Sequence, residues 1–182
     1  MNVQKLEISG LLIIQPNVFG DDRGHFFESY RTDTLKEHGV TEEFVQDNES
    51  LSGKGILRGL HFQKDPYSQG KLVRVIKGAV LDVAIDIRNG SPTYGKHYSI
   101  ELNERNKTMF YVPPGFAHGF LTLEDNTIFA YKCTNYYHKE SEGAILWNSD
   151  SLGIDWGISA PKLSEKDEVA EDFSDFVSPF QL

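Results

Sequence analysis

The chain has 182 residues, 39% of them hydrophobic, and 27 acidic against 18 basic residues give a net charge of −9. That length suits one globular domain over residues 1–182 with a sizeable core. The charge argues against nucleic acid or an acidic membrane surface as a partner. No run approaches the ~20 apolar residues that span a bilayer. The opening Met1–Glu7 also lacks the basic-then-apolar pattern of a secretory signal, so a cytoplasmic location is expected. A lone cysteine, Cys133, excludes an intrachain disulfide and a cysteine-based zinc site, and reads as a small buried hydrophobe.

In chain order, Asp21–Arg23 reads as a turn within the segment Gly20–Glu28. Thr32–Gly39 offers a capping residue, a charged turn and a terminal glycine, which predicts a short helix. Lys71–Ile76 reads as a strand, and Lys77-Gly78 as the turn into the next. There Leu81, Val83, Ile85 and Ile87 alternate with Asp82, Ala84, Asp86 and Arg88, the period-2 pattern of a strand. Asp82, Asp86 and Arg88 either meet solvent, the favoured reading because an outward polar face is the default in antiparallel sheets, or point into a polar cavity. Phe110–Val112 and Gly119–Leu123 are strand-like around Pro113-Pro114-Gly115, and Glu124-Asp125-Asn126 turns the chain into Thr127–Thr134. Short strands, tight turns and few helices predict an all-β fold, an antiparallel barrel or jelly roll. Such barrels hold a ligand in their mouth.

The densest chemistry lies in Arg58-Gly-Leu-His61-Phe-Gln63 and Gln69-Gly-Lys71-Leu-Val-Arg74. A cation for an anionic group, a base that titrates near neutrality and a fixed positive charge suit carbanion chemistry on a phosphorylated small molecule. Each residue also has a plainer reading. A strand histidine such as His61 or His118 is more often a hydrogen-bonded structural residue, and Tyr131 a barrel wall. Lys71 and Arg74 could be edge charges that deter aggregation. Metal ligation is disfavoured, because a β-barrel metal site wants paired histidines and His61 is followed by Phe62 and Gln63. The pocket is expected to hold no metal and no cofactor.

Several longer segments resemble one family. Arg58–Gln63, Gly70–Val75, Pro113–Phe120 and Ser164–Asp167 are similar to signature segments of the dTDP-4-dehydrorhamnose 3,5-epimerases. Asp22–Glu28, Phe44–Asn48, Tyr131–Tyr137 and Leu146–Asn148 match as well. The resemblance implies a cupin-type jelly roll working as a homodimer on a nucleotide sugar, dTDP-4-dehydro-6-deoxy-D-glucose, in dTDP-L-rhamnose synthesis. It implies His61 as base, Asp167 as its carboxylate partner, Tyr131 as acid and Lys71 as the cation beside the C4 oxygen. It implies substrate contacts from Arg23, Glu28, Gln46, Asn48, Arg58, His118, Glu142 and Lys166, with Tyr137 stacked on thymine. Past Asp167 the chain reads Glu168-Val-Ala-Glu-Asp-Phe173, where members commonly carry a basic residue and a proline.

Asp82 is the reserve partner for His61 if Asp167 is placed elsewhere. Three other readings stay open at this stage. One is a single-carbon epimerase with the same catalytic set, another a ketoisomerase of the same barrel class, and the third a non-catalytic barrel that binds nucleotide sugars.

Overall fold

The computed structural model describes all 182 residues, Met1–Leu182. Strands β1 (Asn2–Lys5) and β2 (Leu12–Gln15) lead into a hairpin of β3 (Phe19–Asp21) and β4 (Gly24–Phe26), then helix α1 (Thr32–Glu37). The central run is β5 (Gln46–Ser52), β6 (Leu57–Gln63), β7 (Lys71–Lys77), β8 (Ala79–Asp86), β9 (Arg88–Asn89) and β10 (His97–Asn103). It continues through β11 (Met109–Val112), β12 (Phe116–Thr122) and β13 (Thr127–Cys133) to a 3-10 turn at Lys139–Ser141. The chain closes with β14 (Glu142–Ala144), helix α2 (Glu165–Glu168) and β15 (Phe180–Gln181). No helix is long and apolar enough to cross a membrane.

Two antiparallel sheets face each other in a cupin-like jelly roll, with strand orders β1-β2-β11-β7-β13-β5 and β10-β8-β12-β6-β14. Three apolar layers follow from this stacking. Val73, Val75, Phe110, Phe129, Val80, Phe116 and Phe120 fill the space between the sheets. Leu12, Ile14, Leu72, Met109 and Tyr111 on the far side of the larger sheet are covered by Leu35 and Val40. Val83, Ile85, Leu57, Leu60 and Phe62 on the far side of the smaller sheet are covered by Ile145, Leu152, Trp156 and Phe180 from the C-terminal segment.

That third layer corrects the reading of β8. Its apolar alternates Val83 and Ile85 pack outward beneath the C-terminal segment, so the Asp82 face looks into the molecule with Val80 and Ala84. Asp82 and Asp86 are both fully buried rather than solvated. Asp86 accepts hydrogen bonds from Arg88 Nε (2.8 Å) and Nη2 (2.7 Å), from Ser91 Oγ (2.6 Å) and from Thr93 Oγ1 (2.6 Å). Arg88 in turn lies 4.6 Å over the Phe116 ring. A buried carboxylate is tolerable here because charge and lone pairs are all matched.

Helix α1 forms where expected, but Arg31 rather than Thr32 occupies its N-cap, and no side chain caps it. Gly39 ends it at φ +99°, the left-handed backbone that glycine takes without a Cβ penalty. Gly78 makes the expected β7–β8 turn at φ +80°, where a Cβ would meet Thr127 Oγ1 at 2.3 Å. Strands 71–77, 109–112, 116–122 and 127–133 fall within a few residues of the expected ones.

Candidate active site

A cavity of about 570 Å³ opens between the two sheets, and its lining includes Arg58, His61, Lys71, His118, Tyr131, Tyr137, Glu142, Lys166 and Asp167. A second lobe of about 380 Å³ shares His61, Lys71, Tyr131, Tyr137 and Glu142 with it and adds Gln46 and Asn48. Eleven of the thirteen expected site residues therefore converge on one continuous space.

The smaller sheet supplies Arg58 and His61 on β6 and His118 on β12, with His61 and His118 directly opposite each other in register. The strands approach closely at two glycines. A Cβ on Gly59 would sit 2.4 Å from the Gly119 Cα, so no larger residue fits without moving β12. The larger sheet supplies Lys71 on β7 and Tyr131 on β13. His61 and Tyr131 thus stand on opposing walls.

Asp167 projects from α2, whose N-cap Ser164 accepts from the Asp167 backbone N–H. Its Oδ1 lies 2.6 Å from His61 Nε2, and the carboxylate is almost fully buried. Burial pushes the Asp167 carboxyl up, but the hydrogen bond and charge of His61 outweigh it, so the group titrates below its ordinary value. The acidic run after Asp167 does not displace this contact. Asp82 has a different role, with its Oδ1 2.8 Å from His118 Nε2. The reserve assignment of Asp82 to His61 is corrected accordingly.

Burial lowers the Lys71 ammonium below its ordinary range, against the pull of Cys133, Asp82 and Glu142. Burial also raises the Tyr131 phenol, with the neighbouring Cys133 adding to the shift and Arg58 opposing it. Arg58 is oriented by Ser52 Oγ, which accepts from Nε at 3.3 Å and Nη2 at 3.2 Å. Lys166 Nζ pairs with Glu142 Oε1 at 2.5 Å, and the Tyr137 hydroxyl donates to Glu142 Oε2 at 3.4 Å. Cys133 is buried and unpaired, and Asn48 Nδ2 points at its sulfur from 3.6 Å.

Two expected residues stay outside. Arg23 is held by Asp21 at the β3–β4 turn with its side chain 90% exposed, and Glu28 lies 3.6 Å from Arg31. Neither lines the cavity. Conversely, Lys162, Ser50 and Phe129 line it without having been singled out in the sequence, and so does Phe120, named there only as the end of the Pro113–Phe120 segment. Lys162 carries no signal of its own in the sequence, lying just before the Ser164–Asp167 segment. The two phenylalanines look like any core aromatic until the fold stacks them 4.1 Å apart beneath the cavity.

The family model described as dTDP-4-dehydrorhamnose 3,5-epimerase matches residues 5–175. The chain belongs to that family. It is 51% identical over 176 residues to the dTDP-4-dehydrorhamnose 3,5-epimerase of Shigella flexneri, covering 96% of this chain and 97% of the relative. A crystal structure of the same enzyme from Elizabethkingia anophelis superimposes with a TM-score of 0.92 at 48% identity, covering 96% of this chain and 97% of that one. The dTDP-6-deoxy-D-glucose-3,5-epimerase of Legionella pneumophila, solved in complex with dTDP-4-keto-L-rhamnose, gives 0.94 at 46% identity, covering 100% and 98%.

Proposed function

We propose that this protein epimerises dTDP-4-dehydro-6-deoxy-D-glucose at C3 and C5 to dTDP-4-dehydro-L-rhamnose, on the route to dTDP-L-rhamnose. One observation carries the reading: a carboxylate-held histidine and a tyrosine line one cavity from opposing sheets, with an unpaired lysine beside them.

The C4 keto group makes the C3 and C5 hydrogens removable, because the carbanion delocalises onto oxygen as an enolate. The mismatch with an imidazole base still costs ~1.4 kcal/mol per pKa unit. Lys71 has no ion-pair or hydrogen-bond partner in the protein, so its charge is available to the enolate oxygen in a partly dry site. Asp167 takes the Nε2–H of neutral His61, which leaves Nδ1 as the proton acceptor and stabilises the imidazolium that forms. Inversion needs a proton from the opposite face. Tyr131 stands on the opposite wall, and its raised pKa keeps it protonated at neutral pH, as a general acid requires.

Arg58, Lys162 and Lys166 supply positive charge for the diphosphate, with Arg58 able to bind it in a forked geometry. Tyr137 at the cavity rim is the platform for thymine, and Gln46, Asn48, His118 and Glu142 supply polar contacts. Binding at these remote groups orients the sugar for proton transfer.

The reading treats residues 1–182 as one unit that works in the cytoplasm as a homodimer. The β3–β4 hairpin supports the dimer. It pairs with no other strand, exposes Phe19 and Phe26, and carries Arg23 away from its own cavity. A second copy would give Arg23 and Glu28 a substrate to bind, and sedimentation equilibrium tests the stoichiometry.

Proton NMR of the 4-keto sugar nucleotide in D₂O tests the activity. Deuterium at both C3 and C5 of an inverted product is expected. Label at one carbon only would leave a single-carbon epimerase, and binding without any label would leave a sugar-nucleotide carrier.

A further inference from the structure

Tyr137 stands on a stretch without regular secondary structure, between the end of β13 and the 3-10 turn. Backbone outside a ladder keeps one conformation only if other groups take its N–H and C=O. Here those groups are side-chain amides. Gln63, the last residue of β6, is 5% exposed. Its Oε1 accepts from the His138 N–H at 2.8 Å, and its Nε2 donates to the Tyr136 carbonyl at 3.1 Å. These two groups belong to the two peptide planes that flank Tyr137. Gln46 Oε1 accepts from the Tyr137 N–H itself at 2.9 Å.

Gln63 Nε2 also donates to the Tyr67 carbonyl at 2.6 Å, and the Tyr67 ring stacks on His138 with centroids 3.7 Å apart. Both donors and the acceptor of the Gln63 amide are thus in use. The residue sits two positions from His61 on the same strand, so one rigid support carries both the candidate base and the anchor of the nucleotide platform.

We propose that Gln63 is a positioning residue for the nucleotide. By fixing both peptide planes around Tyr137 it sets the direction in which that ring projects, and through it the affinity for the pyrimidine end of a nucleoside-diphosphate sugar. The inference rests on Tyr137 being the surface on which thymine stacks. A general structural role would make Gln63 matter equally whether or not the Tyr137 ring is present.

The test is a double-mutant cycle on dTDP binding by titration calorimetry, using the full chain with Gln63→Met, Tyr137→Ala and both together. Methionine keeps the length and shape of glutamine and loses all three hydrogen bonds. Gln63→Met should weaken dTDP binding about tenfold, the order of one base–aromatic stack. In the Tyr137→Ala background the same substitution should change affinity by less than about twofold, since coupled residues are non-additive. In turnover, KM for the sugar nucleotide should rise far more than kcat falls. Equal losses in both backgrounds, or unchanged binding by Gln63→Met, would overturn the inference. Absence of dTDP binding by the unaltered protein would instead overturn the nucleotide-sugar reading beneath it. If Gln63→Met melts early, Gln63→Glu, which keeps the acceptor and removes the donors, enters the same cycle with the same criteria.

Discussion

Asp167 and His61 lie 106 positions apart in sequence and 2.6 Å apart in space, carboxylate Oδ1 against ring Nε2. The contact joins the C-terminal helix to the strand that carries the candidate base. It holds the ring in place and fixes which of its nitrogens is free. Asp167→Asn should therefore lower kcat by about 10²-fold or more, within the span of general acid–base effects, with a smaller change in KM. Steady-state kinetics on the 4-keto sugar nucleotide checks both parameters.

Lys71 should set the alkaline limit of activity. Burial brings its ammonium below the ordinary 10.5, while Tyr131 is raised above 10. With Lys71 as the proposed cation beside the enolate, activity should fall on the alkaline side as it gives up its proton, at a pH below 10.5. A kcat–pH profile of Lys71→Arg should show that limb moved upward at a reduced rate, because arginine stays charged.

The knot around Asp86 makes a separate claim about stability. Its hydrogen bonds to Arg88, Ser91 and Thr93 overcome the cost of burial and bring its pKa from 3.8 to about 2. The folded chain then binds this proton less tightly than the unfolded one. The stabilisation is full above the ordinary value of 3.8 and is lost as pH falls through about 2. It is worth about 2 kcal/mol at neutral pH. Urea unfolding of the unaltered chain and of Asp86→Asn at a series of pH values should show the gap between them narrowing by about that amount between pH ~5 and pH ~2.

How far the sequence carried this picture varies by element. The strands and the turns at Gly78 and Asn126 follow from local pattern, because period-2 alternation and positive-φ residues are local properties. The residues of the site came from long matching segments, since spacing alone does not say that Lys71 and Asp167 share a cavity. Pattern alone did not decide whether Asp82 is buried. Alternation separates two faces of a strand but does not say which one a later segment will cover. Leu152, Trp156 and Phe180, which decide the matter for β8, lie far along the chain and carry no periodic signal. Arg23 and Glu28 match the family pattern yet lie outside the cavity, because a matching segment gives a residue's place in the sequence and not where the fold puts its side chain.

Gly59 tests how tightly the site is tied to the sheet. Its φ of +137° and the 2.4 Å approach of a Cβ to the Gly119 Cα leave no room for a side chain. Gly59→Ala should cost at least about 2 kcal/mol of stability. It should also lower activity, because it parts β6 from β12 between His61 and His118. Thermal unfolding beside kinetics measures both.

Deuterium exchange by Tyr131→Phe and His61→Ala in D₂O, followed by NMR, probes the two-sided mechanism most directly. With base intact and acid removed, Tyr131→Phe should wash hydrogen out of the unreacted sugar with its configuration kept and yield little inverted product, while His61→Ala should do neither. Inversion by Tyr131→Phe at the unaltered rate, or exchange surviving in His61→Ala, would contradict the account.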